Sequence, residues 1–203
     1  MKEILYNWGG ANLWLFHAIN DVRGGFIDGF MLLGSALGKH TNFAIYLAAA
    51  ALIAALRVTR AFARDADRGR AQTNLWLGVI AVFSLAYVVD GALISWLKAA
   101  LDFPRPPLLL PPDALHVVGE RELHQALPSG HATFAVTMAA SLWPVLDRYG
   151  RSAACVYVLW VGLARVSLGV HFPADVIAGF AVGLAVVMAV RFALARARRW
   201  TAR

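Results

Sequence analysis

NLWLGVIAVFSLAYVVDGALISWL, residues 74–97, decides the fold. An α-helix needs about 20 consecutive apolar residues to cross the roughly 30 Å core of a bilayer, and this stretch supplies them. One carboxylate, Asp90, interrupts it. Working outward, further apolar stretches run from Phe43 to Leu56, His131 to Leu146, Ala153 to Leu168 and Val176 to Leu194. A shorter one, Phe26 to Leu37, carries Asp28. Hydrophobic residues make up 60% of the chain and charged residues 15%, against about 25% charged in an average soluble domain. One soluble core of 203 residues could not hide that much apolar surface, so lipid must cover part of it. The expectation is a single all-α domain over residues 1–203, a polytopic membrane helix bundle of about six transmembrane helices. Residues 1–24, with Trp8, Trp14 and Phe16, read as an interfacial segment, because aromatic side chains favour the headgroup level. Met1 to Asn20 lacks the basic start, clean apolar core and small-residue cleavage site of a signal peptide.

Arginine placement sets the orientation. Arg57, Arg60, Arg64, Arg68 and Arg70 lie in one link, Arg148 and Arg151 in another, and Arg191, Arg196, Arg198, Arg199 and Arg203 towards the C-terminus. Alternating spans put all three groups on one side, and the excess of positive charge in cytoplasmic loops makes that side the cytoplasm. The segments Lys98 to His131 and Leu168 to Asp175 then face the other way, to the periplasm or exterior of a bacterial cell. The net charge of +7 follows from this flanking pattern and from anionic headgroups, so no nucleic acid is expected as a partner. Cys155 stands alone in an apolar stretch, which excludes a disulfide framework. Residues 107–127 form an extracytoplasmic loop whose leucines and valines are expected to lie against lipid.

Three polar islands sit on that non-cytoplasmic face: Lys98 to Pro106, Pro128-Ser129-Gly130-His131, and Arg165 to Asp175. Charge at the edge of a span is costly unless it has a task. Pro128 and Gly130 break the preceding loop and Ser129 is a favoured N-cap, so free N–H groups at the next helix start make an anion site beside His131. His171 and Asp175, four apart across a helix start, share one face. Asp175 then either orients the imidazole as a nucleophile or merely caps the helix. Arg105, bracketed by Pro104 and Pro106, holds its guanidinium in a fixed direction suited to an anion. Lys98 is either a snorkelling anchor or a further cation of the same cluster.

Taken together, the islands resemble the signature of the type-2 phosphatidic acid phosphatase superfamily. That signature is a lysine, six residues and Arg-Pro; then Pro-Ser-Gly-His; then Ser-Arg, five residues, His, three residues and Asp. Lys98, Arg105, His131, Arg165, His171 and Asp175 all match, whereas Ala164 stands where the family carries serine. The resemblance implies a membrane lipid phosphatase that needs no metal or other cofactor. It implies that His171 attacks phosphorus, Asp175 orients it and His131 exchanges protons with the leaving oxygen and water. Lys98, Arg105, Ser129, Gly130 and Arg165 would hold the phosphoryl oxygens. The implied partners are a lipid phosphate and the surrounding membrane lipids; the oligomeric state is open. Asn12 to Asn20 is similar to the undecaprenyl diphosphate phosphatases of this superfamily, which favours that substrate. Phosphatidylglycerophosphate, phosphatidic acid and lipid A phosphate are the alternatives, as is phosphotransfer between lipids.

Outside the islands, Asp90 reads as a buried hydrogen bond between helices or as a part of the cavity two turns below Lys98. His116 and His124 read as loop-surface residues, His40 as inert, and the tryptophans as core or interfacial anchors.

Overall fold

A computed structural model describes residues 8–119 and 121–201, with side chains described as far as Ala197. The start of the interfacial segment (Met1 to Asn7) and the side chains of Arg198, Arg199 and Arg203 lie outside the described residues. The fold is an all-α bundle of seven principal helices among the described residues: α1 (Ala11–Asn20), α2 (Gly25–Leu37), α3 (Phe43–Phe62), α4 (Ala66–Leu101), α5 (Gly130–Leu142), α6 (Arg148–Ser167) and α7 (Pro173–Thr201). A single helical turn, Pro106–Leu109, opens the long loop between α4 and α5.

Each apolar stretch read from the sequence falls on one of α2 to α7. Three segments are long and apolar enough to cross a membrane by length and composition: His40–Phe62, Ala66–Leu109 and Pro173–Ala197. The six-span count therefore stands as a proposal. Large apolar side chains such as Phe26, Trp14, Ile45, Val88, Trp96 and Phe192 point outward and bare. A belt of that extent needs a nonaqueous surrounding. Trp76, by contrast, is buried on α4, and Trp143 lies under the Arg151 guanidinium, 5.4 Å from its ring centre.

Hydrogen bonds cap the helix starts on the arginine-rich side: Asp65 accepts from the N–H groups of Asp67 and Arg68 at the start of α4. Asp147 accepts from Gly150 N–H, 2.8 Å away, at the start of α6. Inside the bundle α5 packs most closely on α7. Gly179 and Gly183 permit this, since a Cβ at either would stand 2.6 Å from the carbonyl oxygen of Ser129 or Thr133. Small residues four apart let two helix backbones approach, the usual device in lipid where burial of apolar area gives no net gain.

An apolar core lies at the far end from the arginines and joins Phe16 of α1 to Leu115, Ala132, Val166, Phe172 and Val176. Leu110 and Val117 pack against it. This corrects the expectation for residues 107–127: the anchoring apolar side chains Leu115 and Val117 turn into the protein, because Phe16 and Phe172 offer them a closed apolar surface. Leu108, Leu109 and Leu123 remain exposed.

Candidate active site

The three islands converge at that end of the bundle. Helix α6 stops after Ser167 with Gly169 in the left-handed region, φ 73°. A Cβ at Gly169 would stand 2.2 Å from the carbonyl oxygen of His116, so both the turn and the close approach of the loop require glycine. The turn folds back on its own helix end, where the N–H groups of Val170 and His171 donate to the Arg165 carbonyl, each at 3.2 Å. His171 is thereby fixed in the turn ahead of α7, and not on the helix.

The expected shared helical face is thus corrected, but the pairing survives. His171 Nδ1 lies 3.3 Å from Asp175 Oδ2. The same oxygen accepts from Phe172 N–H at 2.9 Å. Asp175 therefore caps α7 and orients the imidazole at once, because the third residue of a helix can reach back to the capping residue's N–H. The opposite ring nitrogen, Nε2, faces Arg105 Nη1 at 3.3 Å. A ring that donates from Nδ1 to the carboxylate leaves the Nε2 lone pair aimed at the cationic side. Both His171 and Asp175 are buried. Burial, reinforced by the positive charges of Arg105, Arg165 and Lys98, holds the His171 imidazole well below its usual pKa and so neutral.

Arg105 is buried and pinned by the loop: its N–H donates to the Leu123 carbonyl at 2.9 Å, and its Nε to the His124 carbonyl at 2.8 Å. Nη1 reaches the Val170 carbonyl at 3.3 Å, while Nη2 pairs with the Glu122 carboxylate. Arg165 is buried and donates from Nη1 to Ser35 Oγ of α2, 2.6 Å away. A hydroxyl on the neighbouring helix thus meets this arginine in a chain that has Ala164 beside it. Ser129 occupies the N-cap position of α5, but its side chain makes no cap bond. Its hydroxyl is buried without a partner, and its N–H donates to the Asp175 carbonyl at 3.0 Å. The N-cap expectation is corrected accordingly: the backbone starts the helix and leaves the hydroxyl available to a ligand oxygen.

His131, half-buried on the first turn of α5, lies in the electrostatic field of Arg165, Lys98, Lys39 and Arg105. Lys98, half-buried near the end of α4, is in turn within reach of Arg105, Glu122, Arg165 and Asp175. All eight candidate residues therefore gather around one concentration of positive charge. Ser35, Lys39 and Glu122 join them although no sequence signal marked them. Their places follow from helix packing and loop docking.

Elsewhere, Thr137 Oγ1 of α5 donates to Asp90 Oδ2 of α4, the hydrogen bond between helices anticipated for that carboxylate. His40 stacks on Tyr87 with 4.1 Å between ring centres and lines a cavity of about 150 Å³ with Asp90, Ser95 and Gly130. His124 is exposed, as read from the sequence, but His116 is not a plain surface residue. Its ring nitrogen lies 3.2 Å from Asp28, and its backbone is gripped on both sides by the Asn20 amide, at 2.8 Å and 2.7 Å. Asn20 also donates to the Ser167 carbonyl, and Asn12 accepts from Ala174 N–H. Helix α1 thus buckles the loop to the α6–α7 turn.

The chain is similar to known proteins. The sequence profile of the PAP2 superfamily matches residues 75–199. Lipid A 1-phosphatases of Rhizobium johnstonii and Rhizobium etli are 32% and 33% identical over 116 residues, 53% of this chain. The match covers 44% and 46% of their own length, so the chain spans under half of these relatives. An undecaprenyl-diphosphatase of Sulfolobus acidocaldarius is 26% identical over 177 residues, covering 86% of this chain and 74% of that one. The crystal structure of Aquifex aeolicus LpxE shares the fold with a TM-score of 0.70 at 23% identity, covering 89% of this chain and 94% of its own. That of a transmembrane PAP2 type phosphatidylglycerolphosphate phosphatase from Bacillus subtilis gives 0.60 at 22%, covering 93% and 86%.

Proposed function

The chain belongs to the PAP2 superfamily, and from that premise we propose that it is a membrane lipid phosphatase working through a phosphohistidine. The observation that carries this reading is the buried His171 held between Asp175 on one nitrogen and Arg105 on the other.

In the proposed cycle the Nε2 lone pair of His171 attacks phosphorus, an N–P bond forms and the P–O bond to the lipid breaks. His131 gives its proton to the leaving oxygen. A water then attacks the phosphohistidine, His131 takes its proton, and the N–P bond breaks to release phosphate and restore His171. Asp175 offsets the charge that develops on the imidazole in each step. Arg105, Arg165, Lys98, the Ser129 hydroxyl and the Gly130 N–H supply fixed donors for the phosphoryl oxygens, whose charge changes most in the transition state. The reaction is proposed to need no metal and to take place on the face opposite the arginine-rich links, which positive-inside orientation makes the periplasmic side of a bacterial inner membrane.

Undecaprenyl diphosphate is the favoured substrate, supported by the relative that aligns over most of the chain. A lipid A 1-phosphate is the second reading, supported by the relatives of higher identity over its matched half. Purified protein in detergent, offered undecaprenyl diphosphate, lipid A, phosphatidylglycerophosphate and phosphatidic acid, is expected to release phosphate from one of them by a large margin. His171→Ala should reduce that rate by at least about 10³-fold. Release that survives His171→Ala in a folded protein would sink the mechanism. A lipid acceptor that captures the phosphoryl group in place of water would identify the enzyme as a phosphotransferase.

A further inference from the structure

Glu122 belongs to no motif and takes no part in the proposed cycle, yet its carboxylate lies on the Arg105 Nη2. The donors of that guanidinium are directed to different partners. Nε is committed to the His124 carbonyl, and Nη1 to the Val170 carbonyl and the His171 ring. Nη2 is then the edge from which Arg105 would reach a phosphoryl oxygen bound at His171. The Glu122 charge also acts on Lys98 and on Arg165. One carboxylate thus addresses all three cations assigned to the phosphate.

We propose that Glu122 holds the edge of Arg105 that a phosphoryl group would take, so that a substrate must displace its side chain, and that this residue sets the enzyme's affinity for phosphate. The inference rests on the reading of Arg105, Lys98 and Arg165 as phosphate holders. The backbone just after Glu122 is tied down by Arg105 N–H to the Leu123 carbonyl and by Ala126 N–H to the Phe103 carbonyl, each 2.9 Å, and before it Val118 N–H donates to the Leu168 carbonyl at 3.2 Å. Displacement therefore involves rotation of one side chain and not opening of the loop. The Glu122 side chain is 54% exposed, so solvent is open to it when it leaves Arg105. A resident carboxylate keeps three clustered cations compensated while no substrate is present, and two anions on one guanidinium edge repel each other. A weakly charged ligand displaces it poorly, whereas a phosphate dianion competes well. The pocket is thereby biased towards terminal phosphate groups.

The test uses full-length protein in detergent and inorganic phosphate as the probe. Equilibrium dialysis with labelled phosphate gives the affinity without turnover, for the wild type, Glu122→Gln and Glu122→Ala. Both variants are expected to bind phosphate more tightly, by up to about fivefold given the half-exposed pair. The gain should shrink at high salt. On a lipid phosphate substrate, KM should fall with the phosphate Kd while kcat changes less. Unchanged or weaker phosphate binding in both variants overturns the proposal. Tighter phosphate binding in protein that hydrolyses none of the lipids would uphold this inference while refuting the proposed activity.

Discussion

The α6–α7 turn and the long loop both deliver groups to Arg105, but they are built in opposite ways. From Ala164 to Val176 the turn and its flanks are buried without a break. The turn's backbone folds onto the Arg165 carbonyl, and Asp175 fixes both the His171 ring and the Phe172 N–H. Glu122 and its loop neighbours stand largely exposed, and the loop is anchored at Leu115 and His116. A nucleophile must be held within a fraction of an ångström to gain from proximity. A residue that yields to an incoming ligand must instead be near solvent. In the proposed cycle the two regions separate chemistry from access.

The largest effect should come from removing the charge that orients the turn. Asp175→Asn keeps an acceptor for Phe172 N–H, so the helix start should persist, while kcat is expected to fall by roughly 10²–10⁴-fold. A fall below tenfold, measured by phosphate release in folded protein, would reduce Asp175 to a cap and place the turn on the same footing as the loop. Glu122→Gln, by contrast, should change affinity before rate.

Gly169→Ala probes the point where the two regions touch. The added methyl meets the His116 carbonyl oxygen at 2.2 Å and occupies a left-handed backbone. Strain of the latter kind alone costs about 1–2 kcal/mol. A lower Tm together with faster proteolysis in the loop is expected. A Tm drop without loop cleavage would show the two regions to be independent.

A smaller effect should appear in the pH dependence of stability. The folded state holds His171 neutral well below its usual pKa of 6.5. The unfolded chain takes up a proton there at about pH 6.5, so it binds more protons than the folded state as the pH drops. Stability should therefore decline below about pH 6.5, and less steeply in His171→Gln. Thermal melts across pH 4–8 compare the two, and identical slopes would contradict a buried neutral imidazole.

Much of this protein was legible in its sequence, and the legible part is short-ranged. Apolar runs marked where α2 to α7 would form, since a bilayer-length apolar stretch has few ways to satisfy its backbone other than as a helix. Proline, glycine and serine marked the start of α5, and the spacing of His171 and Asp175 brought them together whether or not both lay on a helix. The arginines put the islands at one end. What could not be read were contacts between segments distant in the chain. Ser35 reaches Arg165 across 130 residues, and Asn12 reaches Ala174 across 162. No motif or periodicity marks Glu122, which meets Arg105 only because the loop docks on Phe103 and Arg105. Local periodicity and turn chemistry follow from a residue and its near neighbours. Which hydroxyl, amide or carboxylate meets a buried arginine depends on how whole helices pack, and that was settled in three dimensions.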